Sequence, residues 1–116
     1  DFPNLFIMVG PGSPSLLSNV IVSIEDHAEF ICSLITSADS IGKQAIEVNL
    51  EAENEWVEHV NARAQETLYP LAPSYYMGSE VAGKPKVFMP YSGGVRGYRR
   101  ILESVRNNDW KGFDIS

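Results

Sequence analysis

Cysteine is nearly absent: Cys32 is the single one in 116 residues, so no intrachain disulfide can form. It lies in an apolar helical pattern, where a buried and inert thiol is expected, and a reducing cytoplasm suits such a chain. Long apolar runs are missing too. None approaches the roughly 20 residues that a membrane-spanning helix needs, and the first residues show neither a basic n-region nor an apolar h-region. Neither a membrane nor a secretory route is therefore expected. Basic side chains are few, 9 against 15 acidic ones for a formal charge of −6, which argues against a nucleic-acid module. Histidine is scarce: His27 and His59 stand 32 positions apart, neither beside a nucleophile or a metal-ligand cluster. Both are expected in structural roles, His59 at the surface or against a partner, and no metal site or catalytic residue can be nominated from spacing.

What is present is ordinary globular composition, 44% hydrophobic and 21% charged, in a chain long enough for one core and too short for two domains. Charge is unevenly spread. Residues 1–80 hold 12 acidic and 2 basic side chains, and residues 81–116 hold 3 acidic and 7 basic, so a net −10 precedes a net +4. Two surfaces that neutralise each other across one fold would explain this, as would an anionic ligand or partner near the C-terminal part.

Leu5 to Val9 is a continuous apolar run between Pro3 and Gly10, the pattern of a central strand buried on both faces. It enters Gly10-Pro11-Gly12-Ser13-Pro14-Ser15, a stiff loop of glycines and prolines. Val20, Ile24, Ile31, Leu34 and Ile35 then recur at helical spacing, with Ser18 or Asn19 as N-cap, predicting a helix over 19–37. Ala45 to Val48 reads as a short extended segment. Asn49 caps a second helix over 50–68, with the stripe Trp56, Val60, Ala64 and Leu68 opposite the solvated Glu51, Glu55, Glu58 and Glu66. A long connection runs through Tyr69-Pro70 and Ser74-Tyr75-Tyr76-Met77-Gly78 to Gly83-Lys84-Pro85, a length that usually serves function or covers another part of a larger protein. Lys86 to Tyr91 reads as a strand and Gly93-Gly94 as a turn. Tyr98, Ile101, Leu102 and Val105 form the stripe of a third helix, and Phe113 to Ile115 a last short strand.

The best local site is the strand, glycine loop and helix at residues 5–37. A helix N-terminus carries unpaired N–H groups and about half a unit of positive charge, which favours a phosphate or another anion and suits a nucleotide cofactor. The loop is not a full G-x-G-x-x-G, because Ser15 stands at the third glycine and no acidic residue follows about twenty positions on. A loop that merely turns the chain tightly is the other reading.

A wider resemblance covers essentially the whole chain. Phe2-Pro3-Asn4-Leu5-Phe6, Gly10-Pro11-Gly12-Ser13-Pro14-Ser15, Leu17-Ser18-Asn19 and Val22-Ser23-Ile24-Glu25 resemble the C-terminal part of flavin-dependent Baeyer-Villiger monooxygenases of the phenylacetone and cyclohexanone type. The likeness continues in order and spacing through Trp56-Val57-Glu58-His59-Val60-Asn61, Thr67-Leu68-Tyr69-Pro70, Tyr76-Met77-Gly78, Gly83-Lys84-Pro85, Val87-Phe88-Met89-Pro90-Tyr91, Gly93-Gly94 and Gly112-Phe113. Members of that family use FAD and NADPH to insert one oxygen atom of O2 beside a ketone carbonyl, giving an ester or lactone.

The resemblance implies that Leu5 to Val9 is the last strand of a split FAD domain of Rossmann type, and that Gly12 to Val20 passes the isoalloxazine ring. Gly12, Ser13, Ser18, Asn19 and Val20 would then be the cofactor-binding residues, the helix start facing the flavin edge where negative charge gathers on reduction. Ser15, Leu16 and Leu17 correspond to a bulge that lines the substrate pocket, with core packing as their other reading. Tyr75 stands where the family has a tryptophan on the nicotinamide cofactor, keeping an aromatic face but changing its reach.

Departures matter as well. The chain carries neither the G-x-G-x-x-G for the FAD pyrophosphate, nor the second one for NADP, nor the family's histidine-containing fingerprint. The expectation is a mixed α+β fragment with three helices and two to four short strands, not a complete Rossmann domain. Alone it would not catalyse the oxygenation, and it need not hold a cofactor by itself; flavin or the missing N-terminal half would be its partner. The alternative is an independently folded, self-associating module, a homodimer for instance, because losing its neighbours exposes apolar surface.

Overall fold

The computed structural model describes residues 2–14, 18–78 and 80–116. Its backbone is organised by two asparagines. The Asn19 side chain accepts the Ile21 N–H at 3.0 Å and starts helix α1, Val20–Ser40, which ends three residues beyond the sequence-predicted end. Ser23, His27, Phe30, Leu34 and Ala38, spaced three and four apart, are its buried face, so of the apolar stripe read from the sequence only Leu34 is buried, while Val20, Ile24 and Ile35 are exposed on another side of the helix. Asn49 accepts the Ala52 N–H at 2.9 Å and starts helix α2, Leu50–Gln65. Removing that cap in Asn49→Ala should cost about 1 kcal/mol in urea unfolding. An unchanged midpoint would show that the sheet alone fixes this corner.

Between the two helices lies strand β1, Ile46–Val48, paired antiparallel with strand β2, Phe113–Ile115, in the register Ile46↔Ile115, Glu47↔Asp114 and Val48↔Phe113. Ala45 and Ser116 prolong the pair by exchanging N–H···O bonds at 2.8 and 2.9 Å. Helix α3, Gly94–Asn107, leads into β2 through Asp109 and Trp110, both left-handed at φ 50° and 57°. That turn sends Trp110 back into the interior, where its indole N–H donates to the Ser37 hydroxyl at 2.9 Å and its ring meets Phe30 edge-on at 5.3 Å. Phe30, Leu34, Ala38, Ile46 and Trp110 form the main core, covered by Phe6, Leu102, Val105, Phe113 and Ile115. A second nucleus of Ala64, Met77 and Phe88 holds the long connection and its two 3₁₀ turns, Tyr69–Leu71 and Tyr75–Met77, against the end of α2.

Among the described residues the result is the mixed α+β unit with three helices and two strands that the sequence predicts, and besides the end and buried face of α1 it departs from prediction at four places. Leu5 to Val9 is not a strand. A strand buried on both faces needs neighbours on both edges, and here Leu5 and Ile7 are 61% and 67% exposed while the Val9 N–H goes to a side chain, that of His27. Lys86 to Tyr91 is extended but is not a strand either. Met89 bonds to a single residue on each side, its N–H to the Tyr76 carbonyl and its carbonyl to the Gly12 N–H, and Pro90 has no donor to continue a ladder. Leu68 lies beyond the end of α2 and is 81% exposed, because Thr67 turns back through its hydroxyl and N–H onto the Ala64 carbonyl. Cys32 is exposed, not buried. It stands two residues from both Phe30 and Leu34, which puts it on the far side of α1. No described helix is long and apolar enough to cross a membrane.

Candidate functional site

The glycine loop is tied down at Gly10, Gly12, Ser13 and Pro14. The Ser13 N–H and hydroxyl both donate to the Gly10 carbonyl, closing a tight turn in which Gly12 takes φ +79°. The Gly12 N–H donates to the Met89 carbonyl at 2.7 Å, and the Ser13 carbonyl accepts the Tyr91 N–H at 2.9 Å. Pro14 carries the chain toward α1, its carbonyl accepting the hydroxyls of Ser18 at 3.0 Å and of the fully buried Ser23 at 2.7 Å. Because Met89 also donates to the Tyr76 carbonyl at 2.9 Å, one extended residue links the 3₁₀ turn carrying Tyr75 to Gly12.

An aromatic cluster backs the loop. The Trp56 ring stacks on His59 at 5.5 Å and on Tyr91 at 5.4 Å, and lies 5.9 Å from Tyr98. A β-carbon added at Gly12 would come within 2.6 Å of the Trp56 indole nitrogen. The open side of Gly12 is thus filled by this chain's own tryptophan and its N–H is spent on Met89. Glycine here shapes the loop.

His27 joins the loop to the cluster. Its Nδ1 accepts the Val9 N–H at 3.0 Å, so the proton of the neutral ring sits on Nε2, which donates to the Tyr98 hydroxyl at 2.9 Å. Burial lowers the His27 pKa, opposed in part by the Asp26 carboxylate. Burial likewise pushes the Tyr98 hydroxyl up to about 12, with Asp26 and Tyr91 adding to the effect. Arg99 holds Asp26 through its Nε at 2.8 and 3.0 Å.

Of the cofactor residues the resemblance implies, Ser18, Asn19 and Val20 stand at the start of α1, whose first turn carries no acidic side chain, while Gly12 and Ser13 lie on the loop bonded to Gly10, Met89 and Tyr91. Tyr75 stands apart and 76% exposed, its ring edge-on to Tyr76 at 5.8 Å. Ser15, Leu16 and Leu17 lie outside the described residues. Sequence patterns give Trp56 and Tyr98 to helix stripes and leave Tyr91 to a strand; their convergence in one aromatic cluster depends on how the three segments pack. Among the described residues no group of three or more His, Cys, Asp or Glu side chains could hold a metal ion.

No family model matches the chain. It is 34% identical over 110 residues to a Baeyer-Villiger monooxygenase of Pseudooceanicola batsensis, covering 95% of this chain and 20% of that protein. It is 37% identical over 112 residues to a phenazine N-monooxygenase of Lysobacter antibioticus, covering 97% of this chain and 20% of that protein. The solved structure of cyclohexanone monooxygenase from Rhodococcus sp. Phi1 bound to NADP+ superposes with a TM-score of 0.90 at 34% identity, over 99% of this chain and 21% of that one. In sequence and fold the chain matches a segment of Baeyer-Villiger monooxygenases. The chain spans about a fifth of the length of the relatives it matches, which include proteins named as FAD-binding monooxygenases. What aligns with these monooxygenases is therefore the loop, the three helices and the long connection described above, in the same order.

Proposed function

We propose that the chain is the flavin-flanking segment of a Baeyer-Villiger monooxygenase that uses FAD and NADPH to convert ketones to esters or lactones, and that it is not catalytic alone. The observation that carries this reading is the loop at Gly10–Ser13. It is held by its own backbone bonds and by the Trp56 stack, and it delivers an acid-free helix N-terminus at Asn19 and Val20. Such an end suits the electron-rich edge of a flavin, which supplies the oxygen and redox chemistry when bound. Asn19 and Val20 would face that edge, while Ser13 and Ser18 brace the loop beside it. Tyr75 would meet the nicotinamide cofactor, and the preceding Ser74 offers a buried hydroxyl that makes no hydrogen bond among the described residues. Ser15, Leu16 and Leu17 would line the substrate pocket.

The rest of the monooxygenase is the partner this reading requires. Ile21 is 66% exposed, Ile24 and Ile35 are also open on a second apolar face of α1, and Leu5 and Ile7 are exposed as well. A second copy covering the same face, as a self-associating module, is the other reading of this surface, and sedimentation velocity over a concentration series separates the two. Titration of the chain into FAD, followed by flavin fluorescence anisotropy, tests the main proposal. Saturable binding in the micromolar range is expected. No binding by a chain that unfolds cooperatively would remove the flavin contact and leave the self-associating module.

A further inference from the structure

Val9 is the strained residue of the loop's entry. Its φ of +55° is left-handed, a region that β-branched side chains avoid and that persists only where surrounding contacts impose it. The imposing contact comes from α1: the Val9 N–H points at Nδ1 of the buried His27. The very next residue, Gly10, is the one whose carbonyl closes the turn through Ser13. His27 reaches the same loop from its other nitrogen, through the Tyr98 hydroxyl, whose ring lies against Trp56, which in turn fills the open side of Gly12. One imidazole therefore holds both ends of the turn from Val9 to Gly12, and it can do so in one form only. A proton on Nδ1 would turn the acceptor into a second donor facing the Val9 N–H.

We propose that neutral His27, protonated on Nε2, is a positioning residue that sets the glycine loop through the Val9 N–H and the Tyr98 hydroxyl, and that its protonation releases the loop. This rests on the reading that the Gly12–Val20 stretch flanks the flavin. The groups around the imidazole are the Asp26 carboxylate on α1, which favours its protonation, and Tyr98 and Arg99 on α3, Arg99 being paired to Asp26; Tyr91 and His59 lie one ring further out. Asp26 does not outweigh burial, and His27 titrates below its ordinary value. Above pH about 6.5 the histidine is therefore neutral in both folded and unfolded chains. As the pH falls from there toward the lowered folded value the unfolded chain takes up the proton first, so stability declines across that window and levels off beneath it.

The test is a pH series of ¹H–¹⁵N spectra on the full chain, with amide hydrogen exchange, comparing the parent with His27→Asn, His27→Leu and Val9→Gly. In the parent the Val9 and Gly12 amides should shift together, with one midpoint below about 6.5. His27→Asn keeps an acceptor near the Nδ1 position and cannot titrate, so it should hold the neutral-pH amide positions and abolish the shift. His27→Leu should speed exchange at Val9 about tenfold, the effect of losing one net hydrogen bond of about 1.4 kcal/mol. Val9→Gly, where a left-handed φ carries no strain, should halve or better the sensitivity of the loop to His27→Leu. A Gly12 amide that ignores the titration, a pH shift that survives in His27→Asn, or full additivity of the Val9 and His27 changes would each overturn the proposal. Flavin anisotropy on the same samples at pH values about one unit above and below the ordinary histidine value keeps the two readings apart. Amide coupling without flavin binding sinks the functional reading alone, and flavin binding without amide coupling sinks the positioning role alone.

Discussion

Leu34→Ala should lower the unfolding free energy by about 3 to 4 kcal/mol, as removal of a fully buried leucine does when its surroundings cannot close over the gap. Leu34 has no exposed surface and sits among Phe30, Ala38, Ile46 and Trp110. Those neighbours come from α1, β1 and the turn after α3, and each is fixed by something other than Leu34. Ile46 is held in the register of the two-stranded sheet, and Trp110 by its bond to Ser37 and its left-handed backbone. A site lined this way cannot relax, so the cavity term is retained in full. Small domains unfold at roughly 5 to 15 kcal/mol, so the loss is a large fraction of the total. Urea unfolding should show a lower midpoint at unchanged slope. Leu68→Ala is the control: 81% exposed, it should stay within about 0.5 kcal/mol of the parent. A Leu34→Ala cost near that of the control would mean the main core is not a packed unit.

How much of this is legible in the sequence depends on whether a signal is local. The helices are, because Asn19 and Asn49 act on amides two and three residues away and helical spacing marks each segment, but the stripe read for α1 shares only Leu34 with the face the chain buries. The short strands Ile46–Val48 and Phe113–Ile115 fall inside the segments their composition marks. The Leu5 to Val9 run misleads because an apolar pattern states what a segment needs and says nothing of whether neighbours are at hand. Cys32 misleads for a related reason: α1 is apolar on two faces, and composition cannot say which of them the chain itself covers. The glycine loop is legible as glycine and proline, but its supports are not. Trp56 lies 44 positions from Gly12 and Tyr98 lies 71 from His27, and only tertiary packing makes them neighbours.

Gly12→Ala is the second large effect, and two separable causes contribute to it. The backbone at φ +79° disfavours any side chain, at about 1 to 2 kcal/mol. The new methyl would also stand 2.6 Å from the Trp56 indole nitrogen, and pushing the ring away breaks its stacking on His59 and Tyr91, an overpacking cost of about 1 to 3 kcal/mol. Together these predict a loss of about 2 to 5 kcal/mol. Trp56→Phe removes the nitrogen-bearing ring that the methyl strikes and leaves the backbone term untouched. In that background Gly12→Ala should therefore cost only the smaller, conformational part, a coupling of about 1 kcal/mol or more between two residues 44 positions apart. The same pair separates shape from stability in function, because the loop that the added methyl displaces is the one proposed to flank the flavin. Flavin association should weaken in Gly12→Ala and recover in part in the double variant, even though the double variant has lost an aromatic ring from the cluster. Strict additivity of the two changes in both unfolding and flavin titrations would show that Trp56 does not shape the glycine loop.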